Sequence, residues 1–265
     1  MRRLLAAVAT IATLFLPAHA VTFATDASDL WFKSDESGWG VNVIQQADVL
    51  FATFFVYDTA GKPTWYVGSE VTYATTTSDG LVYTGKLYQT NGPWFGGPFN
   101  ASANVREAGT VTFTLNTLTT ATITYVADGV SVTKAITRQT WRGNNLAGRY
   151  LGAMLGEWSG CPGGNGYVEE PSTITVTQGS NITIVAVQPS TTCTFTGNYS
   201  QAGRLGAIDG TVNCTANAIT GIAAASGTFS AREIEGSVVA FSGRAGLQLG
   251  ACQWRGRIGG LRRDS

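Results

Sequence analysis

Polar and apolar side chains alternate along most of the chain after position 20. In residues 109–116, valine, phenylalanine and leucine alternate with threonine, and residues 120–125 repeat the pattern. A period of two puts alternate side chains on opposite faces of an extended strand, which is typical of half-buried antiparallel strands. Such segments recur every ~8–12 residues, the spacing typical of a β-sandwich or a β-barrel.

Glycines mark where these strands turn. Asp128-Gly129 separates two alternating runs and predicts a tight hairpin. Residues 147–157 have a helix-like spacing, but Gly148, Gly152 and Gly156 lie inside them, and glycine is a poor helix former. We therefore predict a strand there.

In the segment that ends at residue 57, both sets of alternating residues are largely apolar. Phe51, Phe55 and Tyr57 share one face, and Leu50 and Phe54 share the other. Two apolar faces are typical of a central strand that is covered on both sides. The pattern therefore predicts a strand buried on both sides, with Trp39, Trp65 and Tyr66 as core rings beside it.

The first twenty residues have the pattern of a secretory signal. Arg2 and Arg3 precede an apolar run from position 4 to position 16, and the segment closes with Pro17-Ala18-His19-Ala20. The run is shorter than the ~20 residues that a membrane-spanning helix needs. We expect cleavage after Ala20, no lipid anchor, no later transmembrane helix, and export to the periplasm or the extracellular medium.

Composition supports a β protein and limits its chemistry. The chain contains 33 glycines and is 13% charged, which favours strands and turns over helices. Removing residues 1–20 removes the one histidine and leaves two more acidic than basic side chains. A balance so near neutral gives no electrostatic case for nucleic acid as a partner.

The chain divides in composition near Gly143-Asn144-Asn145. Most aromatic residues precede this point, and all four cysteines follow it. We predict an all-β protein of two small antiparallel domains, each a barrel or a sandwich. Residues 1–20 are the signal peptide, 21–142 the aromatic-rich domain, and 146–261 a four-cysteine domain, predicted as an up-and-down barrel.

The four cysteines predict two disulfides in an oxidising compartment. If the chain folds about Gly203-Arg204 so that Cys193 faces Cys214, one face of the hairpin is apolar and the other polar, as a correct register requires. This register predicts Cys193–Cys214, and Cys161–Cys252 follows by elimination. No C-x-x-C spacing is present, which argues against a zinc site.

Two segments of the first domain carry a resemblance. They are ESGWGVN at residues 36–42 and FVYDTAGKPTW at residues 55–65. Together they resemble exported proteobacterial β-domain proteins with the patterns ESGWG-x-N and F-x-YD-x-x-G-x-P-x-W, over roughly residues 30–139. The four-cysteine region looks like a second exported bacterial module. The resemblance implies export and a β fold, and no activity.

Aromatic residues are the candidate binding site. The segment NGPWFGGPFN at residues 91–100 sets aromatic rings among glycines and prolines, where a regular strand is disfavoured. Exposed rings offer flat stacking faces to sugars, peptides or apolar ligands. The alternative, favoured by the usual burial of large aromatics, is a loop folded inward to plug the domain. The candidate ligand-binding residues are Trp39, Trp65, Tyr66, Trp94, Phe95 and Phe99.

Acidic residues give weaker candidates. Asp26, Asp29, Asp35 and Glu36 lie close in sequence, but their spacing matches no calcium loop, so we expect a solvated acidic segment and no metal site. Without histidine there is no Ser-His-Asp arrangement. A carboxylate pair for glycoside cleavage stays open, with candidates among Glu36, Glu70, Glu157, Glu169 and Glu170.

Three functions follow from these patterns. The first is a non-enzymatic binding module for a glycan, a small molecule or another envelope component, without a cofactor. The second is a structural or accessory pair of domains that assembles with another exported protein. The third is a carboxylate-dependent glycoside-acting enzyme. A flat exposed apolar patch favours the second function, and facing carboxylates in a cleft favour the third.

Overall fold

A computed structural model describes residues 25–263, with gaps at 95, 99–103 and 217–224. The predicted signal segment and the candidate residues Phe95 and Phe99 lie outside the described residues. Within the described part of the chain, no helix is long and apolar enough to cross a membrane.

The first eight strands form a closed antiparallel barrel, here called barrel 1, in which each strand pairs with its neighbours in sequence and the last pairs with the first. Its core includes the buried side chains of Trp31, Phe54, Tyr83, Phe113 and Ile123. The strands are β1 (Asp29–Phe32), β2 (Gly40–Gln46), β3 (Val49–Tyr57), β4 (Pro63–Thr77), β5 (Gly80–Asn91), β6 (Asn104–Leu115), β7 (Thr120–Ala127) and β8 (Val130–Arg138).

The next eight strands close a second barrel, barrel 2, with the same sequential order. It confirms the predicted up-and-down barrel, and the glycine-rich stretch is a strand as predicted. The strands are β9 (Gly148–Ser159), β10 (Gly166–Gln178), β11 (Ile182–Val187), β12 (Thr191–Ala202), β13 (Leu205–Ala216), β14 (Ala225–Gly236), β15 (Ala240–Leu249) and β16 (Cys252–Arg262).

The predicted disulfides are both present. Cys193 lies opposite Cys214 on β12 and β13, and Phe195 lies opposite Val212, in the register that the sequence indicated. The Cα atoms are 4.0 Å apart in Cys193–Cys214 and 4.4 Å apart in Cys161–Cys252. Both bonds lie in barrel 2, and they indicate an extracytoplasmic protein that folds in an oxidising compartment.

Because neighbouring strands run in opposite directions, every second loop of a barrel lies at the same end. In barrel 1, the connections after β1, β3, β5 and β7 define the outer end. The opposite, inner end carries residues 25–28 and the segment 139–147 that leads to barrel 2. The β12–β13 turn of barrel 2 lies at this inner end.

Arg204 joins the two barrels at that turn. Its backbone N–H donates to Asp29 Oδ2 over 3.0 Å, and its guanidinium Nε donates to the carbonyl of Ser28 over 3.0 Å. The guanidinium also forms ion pairs with Asp26 and Glu235.

Arg138 holds the same carboxylate from the barrel 1 side. Its guanidinium is buried, lies 3.1 Å from Asp29 Oδ2, and stacks 4.6 Å from the ring centre of Trp31. The prediction of a solvated acidic segment therefore holds for Asp26 and Asp35, which are exposed, and is wrong for Asp29, whose side chain is buried. Asp26 and Asp29 form ion pairs at the inner end, whereas Asp35 and Glu36 pair with Lys33 at the other end of β1.

Candidate functional site

The outer face of β3 is exposed to solvent. Phe51, Phe55 and Tyr57 are 43%, 41% and 56% exposed, whereas Leu50 and Phe54 on the opposite parity are buried. The prediction that this strand is covered on both sides is wrong. A closed barrel has one wall, so only one face of each strand can meet the core.

Neighbouring strands extend this apolar surface. Ile44 lies opposite Phe51, and Trp65 lies opposite Phe55. Trp65 Nε1 donates to Thr90 Oγ1 over 3.0 Å, and Thr90 lies opposite the exposed Val105. We call this surface the aromatic wall; it consists of Ile44, Phe51, Phe55, Tyr57, Trp65 and Val105.

The two glycines of the ESGWG segment lie beside rings of the aromatic wall. A Cβ at Gly40 would lie 2.6 Å from the ring of Phe55, so this ring rests against the backbone of β2. Gly38 has φ +117°, a conformation that favours glycine, and its Cβ position lies 3.8 Å from the ring of Tyr57. Gly40 is therefore needed for the position of the Phe55 ring, whereas Gly38 is needed for its backbone conformation.

Trp39 is half-buried and packs against the core of barrel 1. Its Nε1 donates to Glu36 Oε2 over 3.0 Å, and Lys134 Nζ lies 5.0 Å from its ring centre. Hydrogen bonds from Lys134 and then Lys33 lower the pKa of Glu36 to about 2. Trp39 thus belongs to an ion-paired cap at the outer end.

Tyr66 also packs against the core, on the face of β4 opposite to Trp65. Its hydroxyl donates to Asp128 Oδ2 over 3.2 Å, and Asp128 forms an ion pair with Arg106. Burial, followed by the charge of Asp128, raises the pKa of Tyr66. The prediction of core rings therefore holds for Tyr66 and is wrong for Trp65, which is 54% exposed and belongs to the aromatic wall.

Trp94 is 74% exposed, so the expectation of an inward plug is wrong for this residue. The backbone N–H of Gly97 donates to the carbonyl of Trp94 over 3.1 Å, which closes a turn. A Cβ at Gly96 would lie 2.4 Å from the indole ring. Gly96 therefore lets the ring of Trp94 fold over the turn.

The candidate catalytic carboxylates are divided between the two barrels and, in barrel 2, between the outer and inner faces of its strands. Glu70 is exposed on β4, and Glu157 and Glu169 are exposed on the outer faces of β9 and β10. Glu170 occupies the opposite parity and lines a cavity in barrel 2. In the described ranges, no group of three or more His, Cys, Asp or Glu side chains could hold a metal ion.

The sequence pattern alone does not mark Ile44, Phe51, Phe55, Tyr57 or Val105 as surface residues. The sequence shows which residues of β3 share a face, but the residues on both faces are mostly apolar. A polar residue at one more position on either face would have identified the solvent side. Without such a residue, only the closure of the barrel decides which face of β3 points to solvent.

No family model and no curated protein matches this sequence. Among solved structures, the chain is similar to isotype 1 transferrin binding protein B from serogroup B Neisseria meningitidis. The two share 11% sequence identity with a TM-score of 0.34. The match covers 86% of this chain and spans 52%, about half, of that structure.

Proposed function

We propose that this protein is a non-enzymatic binding module outside the cytoplasm, and that the aromatic wall is its contact surface for another exported protein. One observation carries the proposal. Six large apolar side chains, each at least 41% exposed, face outward on β2, β3, β4 and β6 of barrel 1, with Thr53 and Thr90 between some of them.

Clustering distinguishes this surface from ordinary exposure. Single exposed apolar residues are common, whereas contiguous exposed patches mark interaction sites. The centres of protein interfaces are also enriched in aromatic residues and depleted of charge. Between Phe51 and Phe55 the outward residue is Thr53, and between Trp65 and Val105 it is Thr90, so the middle of the wall is uncharged.

Export by the signal segment is part of the proposal. The disulfides support an oxidising compartment outside the cytoplasm. The pattern of residues 1–20 is that of a signal peptide that directs export. N-terminal sequencing of the protein recovered from the periplasm and from the medium tests this. We expect a chain that begins at Val21; an intact Met1 in both fractions would contradict export by cleavage.

Site-specific photo-crosslinking tests the contact surface. A photoreactive phenylalanine analogue replaces Phe55 or Trp65, and Thr133 on β8 is the matched control, because it is exposed on another part of the same barrel. Irradiation of expressing cells should give one discrete adduct from both wall positions and none from position 133. No adduct from either wall position, or equal adducts from all three, would contradict the proposal.

A glycan is the second candidate ligand, because the exposed indole of Trp94 offers a flat face to a sugar ring. Glycan-array binding by the parent protein, lost in Trp94→Ala and kept in Phe55→Ser, would favour this candidate. Absence of array binding together with a discrete crosslink favours a protein partner.

A further inference from the structure

Barrel 2 contains a cavity of about 350 Å³ at the end that lies away from barrel 1. Its walls are largely apolar and include Met154, Trp158, Leu247, Leu249 and Trp254, with both disulfides beside them. This volume falls within the range of small-molecule sites, and an apolar cavity of ~150 Å³ already accepts benzene. The space therefore suits an apolar group of about ten carbons.

Glu170 is the one charged side chain among the described residues that line this cavity. Along β10 the inward parity continues with Ser172 and Ile174, both buried, so Glu170 occupies an interior position of the strand. Its carboxylate accepts a hydrogen bond from Ser190 Oγ over 3.3 Å. No basic side chain in the described ranges forms an ion pair with it.

Glu170 is half-buried, so it places a negative charge at the wall of the cavity. The ion pairs that the described arginines of barrel 2 form are with other carboxylates, as in Arg232 with Asp209 and Arg244 with Glu233. A ligand that brings its own positive charge would complete the site.

Two indole rings add to the attraction for a cation. Trp158 lies directly opposite Trp254 on β9 and β16, and both line the cavity. A Cβ at Gly156 would lie 2.7 Å from the ring of Trp254, so the ring can occupy this position only because residue 156 has no side chain. The faces of indole rings attract ammonium groups.

We infer that the cavity of barrel 2 binds an apolar ligand with one cationic head group, such as a long-chain ammonium compound. The apolar part fills the space between Met154 and Leu247, and the head group lies against Glu170. A ligand with an anionic head would meet the charge of Glu170 and is disfavoured. This site is separate from the aromatic wall, which lies on barrel 1.

The two disulfides tie together strands that form the wall of the cavity. Cys193–Cys214 ties β12 to β13, and Cys161–Cys252 ties the residue after β9 to the start of β16. All four cysteines line the cavity. A site that is rigid before binding loses less conformational freedom when the ligand enters.

Calorimetric titration of the purified protein with decylamine, decanol and decanoate tests the inference. The three probes share a chain length and differ in head-group charge. We expect decylamine to bind at least about tenfold more tightly than decanoate, and Glu170→Gln to remove that preference. Equal binding of decylamine and decanoate, tighter binding of decanol, or no binding of any probe would overturn it.

Occluding variants locate the site. Ala225→Trp places an indole on the inward parity of β14, and Ser226→Trp, one residue on and facing outward, is its matched control. We expect loss of decylamine binding only in Ala225→Trp, or in Leu249→Trp if the first variant does not fold. Phe55→Ser should leave this binding unchanged. Decylamine binding that persists in folded occluding variants would overturn the assignment.

Discussion

Arg138 stabilises the inner end of barrel 1 through several contacts at once. Besides its ion pair with Asp29, its Nε donates to the carbonyl of Leu118, and its terminal nitrogens donate to the carbonyls of Asp26 and Ser28. Burial lowers its pKa, although Asp29 opposes the shift. Breaking such a buried pair leaves a charge without its partner.

We predict that Arg138→Met lowers the free energy of unfolding by about 3–5 kcal/mol, because Asp29 stays buried without its ion-pair partner. Arg138→Lys should recover only part of this, since one ammonium cannot reproduce the fork of a guanidinium. Urea denaturation measures both. The exposed Arg149→Met is the control, with an expected change within about 0.5 kcal/mol. Equal losses at positions 138 and 149 would contradict this role.

Glu36 gives a pH prediction. Its folded-state pKa of about 2 lies below its ordinary value of 4.5, so the stabilisation is present above about 4.5 and is lost as the pH falls toward 2. We expect Glu36→Gln to flatten the dependence of the unfolding midpoint on pH in this window, relative to the parent. Lys134→Met should act in the same direction, since Lys134 donates to this carboxylate. Parallel curves for parent and Glu36→Gln would refute the assignment.

Among the turns, the β12–β13 turn has a role beyond reversing the chain. Gly203 has φ +59°, and its N–H donates to Thr140 Oγ1 over 2.9 Å. A Cβ at this position would lie 2.0 Å from Asp29 Oδ2. The turn can approach barrel 1 only because this residue has no side chain.

We therefore expect Gly203→Ala to loosen the contact between the barrels while both remain folded. Small-angle scattering should show a larger radius of gyration, and circular dichroism should be unchanged. Gly129→Ala is the matched control: it also has a positive φ, +81°, but its Cβ position has nothing within 4 Å. Both variants carry backbone strain of roughly 1–2 kcal/mol, so expansion in both would show that strain alone separates the barrels.

Strands with one polar face could be predicted in position and register. In β12 and β13, Phe195 and Val212 share the apolar parity, and the register that pairs them is the observed one. The orientation of β3 could not be predicted, because Phe51 and Leu50 are equally apolar. Ion pairs between distant residues were equally inaccessible: Glu36 and Lys134 are 98 residues apart in the chain. The candidate site was therefore only partly visible in sequence.

The whole of barrel 2 is closed by a covalent bond between its ends. Cys161–Cys252 spans 91 residues, whereas Cys193–Cys214 spans 21 within one hairpin. The longer loop restricts the unfolded chain more strongly. This difference predicts that the two bonds contribute unequally to the stability of the molecule.

In the chain-entropy description, losing the long-range bond costs about 4–5 kcal/mol, against about 3–4 kcal/mol for the hairpin bond. We expect the Cys161→Ala, Cys252→Ala double variant to unfold at a lower denaturant concentration than the Cys193→Ala, Cys214→Ala variant. Full reduction of the parent should lower stability below both. The reverse order would show that the hairpin bond does more than restrict the unfolded chain.

The closed strand order of each barrel affects how new binding partners could arise in evolution. Every described strand of either barrel has a hydrogen-bonded neighbour on each side, although β8 pairs with β1 only through Thr137 and Arg138. Where both neighbours are paired, an incoming strand from another chain finds no free peptide groups, so recognition on those parts of the walls depends on side chains. Substitutions on the outer surface of a barrel could exchange one binding partner for another while the residues of the core stay the same.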